Sequence, residues 1–133
     1  MADSLVTLSN PRGDLVFRET AATSTLEQNI FAKANAVIYA IKVAATQNTS
    51  EDVYLAIYED TSATAANLTV GTHHPALVVK CRAGQTVEVL MPCGVETTSS
   101  SQTGIYHACV KTSAGTAGNT SPSGTVAITI IGA

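Results

Sequence analysis

Val37-Ile-Tyr-Ala-Ile-Lys-Val-Ala44 is the stretch that decides the fold. Val37, Tyr39, Ile41 and Val43 lie on one parity, with Ile38, Ala40, Lys42 and Ala44 on the other. Successive strand side chains point to opposite faces, so this pattern predicts one long strand. Working outward, Val53, Leu55 and Ile57 alternate with Tyr54, Ala56 and Tyr58, and Glu59-Asp60-Thr61-Ser62 supplies turn chemistry. Leu77, Val79 and Cys81 alternate with Val78 and Lys80; Arg82-Ala-Gly-Gln85 follows, then Val87, Val89 and Met91 alternate with Thr86, Glu88 and Leu90. That arrangement predicts a hairpin, ended by Pro92, which has no N–H for a ladder. Ile105, His107, Cys109 and Lys111 alternate with Tyr106, Ala108 and Val110 before a Gly-, Ser- and Thr-rich loop from 112 to 124. Val126, Ile128 and Ile130 close the chain with a last period-2 run.

No window of a dozen residues carries the three-and-four apolar spacing of an amphipathic helix; the Ala-rich piece Thr61 to Asn67 has room for one turn. Before residue 36 the apolar patches are short, Leu5 to Leu8, Leu15 to Phe17 and Leu26 to Phe31, and they sit among polar connectors. The expectation is an all-β chain, an antiparallel β-sandwich of jelly-roll type. Residues 1–35 are expected to form an extended N-terminal segment, an arm or edge strands, ahead of a sandwich domain over 36–133.

Composition narrows the function. The chain has 133 residues, a net charge of −3 and only 13% charged residues, about half the usual share, while 30 positions are Ser or Thr. Arg12, Arg18, Lys33, Lys42, Lys80, Arg82 and Lys111 are scattered singly and form no basic footprint for nucleic acid. The start, Met1-Ala-Asp-Ser-Leu-Val6, lacks the charged and apolar regions of a secretory signal. The richest apolar run, Ala36 to Ala45, is interrupted by Lys42 and falls short of the roughly 20 residues of a membrane span. These features predict synthesis in the cytosol and no membrane partner. Cys81, Cys93 and Cys109 are an odd number at low density, read as reduced thiols rather than a disulfide framework.

Reactive chemistry is thinly represented. His73-His74 lies in the turn Gly71-Thr-His-His-Pro75, but the cysteines stand 12 and 16 residues apart rather than in the close pairs zinc favours. Glu51-Asp52 and Glu59-Asp60 are adjacent pairs at strand ends, not the spaced ladder of a calcium loop. His107 and Cys109 share a strand face about 7 Å apart, without a helix N-terminus or Gly-x-Ser-x-Gly turn to build an oxyanion hole. They are expected to be a half-buried His beside a core Cys. No catalytic residue, cofactor or metal site is predicted.

The block Ala83-Gly-Gln-Thr-Val-Glu-Val-Leu-Met-Pro-Cys-Gly-Val-Glu96, with Gly104-Ile-Tyr-His-Ala108 after it, resembles pieces of small all-β virion proteins of tailed phages, the decoration or cement proteins. The resemblance covers about a fifth of the chain. It implies a jelly roll or sandwich on the outer capsid surface, a homotrimer whose partner is the major capsid protein. Val6-Thr-Leu-Ser-Asn10 is similar to the start of coat proteins of single-stranded RNA phages, yet that family ends in helices and presents a basic sheet, and this chain does neither. The predicted function is therefore non-enzymatic: a capsid decoration subunit whose partner-binding residues are Leu5, Leu8, Leu15, Phe17, Leu26, Ile30 and Phe31, since a lone domain exposes such side chains at a cost. The rival reading is a carbohydrate- or receptor-binding module of a phage fibre or tail, with Tyr54, Tyr58 and Tyr106 as aromatic platforms.

Overall fold

A computed structural model describes residues 15–27, 36–59, 68–96, 105–111 and 119–133. Seven strands follow in order: β1 Leu15–Glu19, β2 Val37–Gln47, β3 Val53–Glu59, β4 Leu77–Cys81, β5 Thr86–Glu96, β6 Ile105–Val110 and β7 Thr125–Gly132. Among the described residues the fold is all-β, as the alternation predicts. Among the described residues no helix is long and apolar enough to cross a membrane.

The strands form two antiparallel sheets, one ordered β1-β7-β2-β5 and the other β4-β3-β6. Their inner faces share one apolar cluster, with Ile38, Ile41, Val43, Val126, Ile128 and Ile130 on the four-stranded side. Val53, Leu55, Ile57, Val79, Ile105 and Cys109 meet them from the three-stranded side. A second cluster covers the outer face of the three-stranded sheet: Ala56, Tyr58, Tyr106, Ala108 and Val110 lie beneath Leu26, Leu68 and Val70. That cover leaves every residue of β6 buried.

The expected arm resolves in part. Residues 15–19 are an edge strand, paired with β7 from Leu15↔Gly132 to Glu19↔Ile128. Ala22 is buried and its N–H donates to the Val126 carbonyl. The patch Leu5 to Leu8, the residues Ile30 and Phe31, and the Ala-rich piece 61–67 lie outside the described residues.

The predicted hairpin over 77–91 is corrected. β4 pairs with β3 and β5 with β2, in different sheets. Arg82–Gln85 is a tight turn, closed by the Gln85 N–H on the Arg82 carbonyl at 3.0 Å with Gly84 at φ 71°. The chain turns a corner there, and Cys81 and Val87 enter the shared core from opposite sides. Alternation specifies which face of a strand is buried; it does not specify the neighbour. The Ala45 N–H captures the Gln85 carbonyl at 2.8 Å and so hands β5 to β2.

Pro92 does not end β5. The pairings Ile38↔Val95 and Ala40↔Leu90 set residues 91–94 against Tyr39 alone, a wide irregularity on an edge strand, where Pro is tolerated. The same irregularity flips the parity of β2: Ile38 is buried, and beyond it the buried set is Ile41, Val43 and Ala45. Gly94 sits at φ 75°, and a Cβ there would approach Val37 Cγ1 to 2.5 Å and the Tyr39 ring to 2.8 Å. Only glycine fits both the left-handed backbone and that approach.

Candidate functional site

A cross-sheet clasp joins β1 to β6. Glu19 ends β1 on its inward parity, and His107 stands at the matching depth of β6; His107 Nε2 lies 2.7 Å from Glu19 Oε2. The His107 side chain is 1% exposed and that of Glu19 22%. Because a carboxylate only accepts, Nε2 carries the proton and donates, leaving Nδ1 as a bare acceptor. Nδ1 is buried and has no hydrogen-bond partner. Burial holds the imidazole below its ordinary value, against the pull of the Glu19 and Glu27 carboxylates: a second proton on Nδ1 would face apolar surroundings. Phe17 packs edge-on against the ring, with centroids 5.0 Å apart. His107 is thus fully buried rather than half-buried, since both faces of β6 are covered.

Cys109, two residues along the same face, is buried, and its thiol is pushed up to about 12 by burial and then by Glu19. The thiolate is the nucleophile in cysteine chemistry, and this environment suppresses it. Cys81 is also raised by burial; its Sγ donates to the Gln85 carbonyl at 3.3 Å. Cys93 is exposed on β5.

The acidic pair Glu51-Asp52 serves as a loop clamp; Asp60 of the other pair lies outside the described residues. Asn48 is 1% exposed; its Nδ2 donates to the Glu51 carbonyl and its Oδ1 accepts the Gly124 N–H at 2.8 Å. Glu51 accepts the Ser123 N–H at 2.8 Å, which holds its carboxyl below the usual range. Asp52 accepts from Lys80 at 3.0 Å and from the Ala83 N–H, and Lys80 is the first cause of its lowered value. His73 Nδ1 accepts the Thr69 N–H at 2.9 Å, closing its own turn. Among the described residues no group of three His, Cys, Asp or Glu side chains is placed to hold a metal ion.

The predicted partner-binding residues fall in two groups. Leu15 and Phe17 point inward and pack against the main core, and Leu26 packs against the second cluster. Leu5, Leu8, Ile30 and Phe31 lie outside the described residues. Of the three tyrosines, Tyr58 and Tyr106 are 1% and 2% exposed, while Tyr54 has the Lys80 ammonium 5.7 Å from its ring centroid.

What faces solvent is the outer side of the four-stranded sheet. Register places Val16, Ile131, Ala40 and Leu90 side by side in one row across all four strands. Val16 is 55% exposed and Leu90 73%. The next row reads Arg18, Thr129, Lys42, Glu88, and an open hollow of ≈ 150 Å³ lies among Ala40, Lys42, Leu90 and Ile131. The sequence holds one signal for this row: Leu90 stands at the outward parity of β5 after Thr86 and Glu88, where a third polar residue would be expected. Val16 has no such signal, because the parity of a five-residue strand cannot be read without its partner. No protein family, curated protein or solved structure matches the chain.

Proposed function

We propose that the chain is a non-enzymatic structural protein of jelly-roll type, a capsid decoration or cement subunit that binds the outer shell and stabilises contacts between major capsid proteins. One observation carries this reading: among the described residues the apolar row Val16, Ile131, Ala40 and Leu90 runs uncovered across a whole sheet, with Val16 and Leu90 exposed and Ile131 and Ala40 half-buried, while Glu19, His107, Cys81, Cys109 and Glu51 are committed to internal contacts. A surface of that kind works by being covered. Many copies on a symmetric lattice can be held by modest interfaces, since simultaneous contacts raise effective concentration.

The jelly-roll reading is supported by nested pairing. Residues 23–27 lie beside β6, with the Cys109 N–H on the Thr23 carbonyl and Glu27 bridged to His107. Counting that segment, the first unit pairs with the last (β1 with β7), the second with the seventh, β2 with β5 and β3 with β4. This is one long hairpin folded over on itself, and rolling it creates the β7–β2 and β3–β6 neighbours. The fibre-module reading needs exposed rings, and two of its three tyrosines are buried.

The test is co-sedimentation of the purified chain with capsid shells of the virus whose genome encodes it. Binding that saturates at a fixed ratio to the major capsid protein is expected. Absence of binding, or saturable binding on a glycan array that Tyr54→Ala abolishes, overturns the assignment.

A further inference from the structure

We propose that the open face of the four-stranded sheet is a self-pairing surface whose occupant is a second copy of this chain, packed face to face about a two-fold axis parallel to the strands. The inference rests on reading this face as the working surface: the face holds a second copy in place of direct contact with the shell, and the paired unit meets the shell through its other surfaces.

The argument is one of self-complementarity. A two-fold axis along the strands reverses the order of the strands in the facing copy, so β1 lies over the partner's β5 and β7 over the partner's β2. The apolar row then meets itself in reverse. Val16 covers Leu90, and Ile131 covers Ala40, the smallest member of the row, at the edge of the hollow. Each large side chain meets a smaller one or a gap, as close packing requires. The same operation acts on the neighbouring row: Arg18 of one copy comes over Glu88 of the other, and this happens twice, once on each side of the axis. A rotation about an axis along the row would instead stack Val16 on Val16 and carry the charged rows to opposite sides. One operation thus satisfies both shape and charge, as an isologous contact must. Aligned packing of two sheets about 10 Å apart is a common geometry for such faces.

The face is small. Four strands at about 4.8 Å and six residues at about 3.3 Å give on the order of 400 Å² per copy, about half that of a standard specific interface and in the class of weak, transient contacts. The dimer is therefore expected to be weak, with a dissociation constant above about 1 μM.

Sedimentation velocity of the full chain, from roughly 0.5 μM to roughly 1 mM, reaching from below that bound to far above it, should show a reversible monomer–dimer equilibrium. Leu90→Lys should weaken it at least about tenfold by placing a charge in the apolar row. Arg18→Glu and Glu88→Arg should each weaken it, and the double exchange should restore it. In a Cys93→Ser background, a mixture of Val16→Cys chains with Leu90→Cys chains should form a disulfide-linked dimer under mild oxidation, whereas neither variant does so alone. In a dimer of one variant alone the two introduced thiols stand over opposite edges of the sheet, about 14 Å apart across the strands, too far for a bridge. These positions point outward, so circular dichroism should show the fold intact in every variant. A monomer at all concentrations, an association indifferent to Leu90→Lys, or a double exchange that does not restore pairing would overturn the inference. Shell binding by a chain that stays monomeric would sink the pairing and leave the capsid reading standing; a dimer that ignores shells would do the reverse.

Discussion

Tyr58 and Leu90 occupy equivalent places, each on the outer face of its sheet, yet Tyr58 is 1% exposed and Leu90 73%. The strands account for part of the difference: the outer parity of β3 reads Tyr54, Ala56, Tyr58 and that of β5 Thr86, Glu88, Leu90. The rest lies in the cover. Leu26, Leu68 and Val70, all from connections, close the outer face of the three-stranded sheet. Among the described residues nothing comparable closes the four-stranded one. Connections thus decide which sheet is a core and which is a surface.

The sharpest way to break that comparison is at the covered face. Tyr58→Ala removes a buried ring from the second cluster, together with its hydroxyl's contact to the Gly71 backbone, and should cost about 3–5 kcal/mol in urea unfolding. A loss below about 1 kcal/mol, typical of a surface position, would mean that the connections lie loosely and the two faces are alike. Next comes the irregularity on the open sheet. Gly94→Ala meets Val37 Cγ1 at 2.5 Å on a backbone at φ 75°, so strain and overpacking together should cost about 2–4 kcal/mol. The effect should appear as a lower unfolding midpoint with an unchanged slope.

The clasp between the sheets gives a pH dependence of smaller size. Burial keeps the His107 imidazole neutral below its ordinary value of 6.5, while the unfolded chain takes up the proton there. The unfolded state then binds more protons than the folded one, so stability is complete above about pH 6.5 and is lost as the pH falls below it. His107→Phe keeps the edge-on ring contact with Phe17 and leaves Glu19, 22% exposed, in reach of water. Melting temperature against pH between about 5 and 7, above the range of most carboxylates, should slope in the native chain and flatten in the variant. Equal slopes would place the proton uptake elsewhere.

How much of this the sequence carried depends on distance along the chain. The strands over 37–44, 53–58, 105–110 and 126–130 were legible because alternation is local. The 77–91 segment misled, because a tight turn at Arg82–Gln85 looks the same whether the chain stays in its sheet or crosses to the other one. From the sequence His107 reads as half-buried, because the cover over β6 comes from Leu26, Leu68 and Val70, which no pattern on β6 announces. Glu19 and His107 stand 88 residues apart, and only the roll of the sheets joins them. The open row suffers from the same blindness: Val16, Ile131, Ala40 and Leu90 come from four strands, and register alone assembles them.

The smallest expected effect tests the open side directly. Leu90 is 73% exposed in the folded chain, so most of its side chain is in water both before and after unfolding, and little transfer free energy is at stake. Leu90→Ser should therefore change the stability of the dilute monomer by no more than about 0.5 kcal/mol, against several for Tyr58→Ala. The measurement must be made at low concentration, because self-pairing would add a stabilisation that grows with protein concentration and that Leu90→Ser would remove. A loss above about 2 kcal/mol in the dilute monomer is of the size expected for an apolar side chain truncated inside a packed core. It would mean that the chain covers this face itself, and the contrast between the two sheets would then be one of degree.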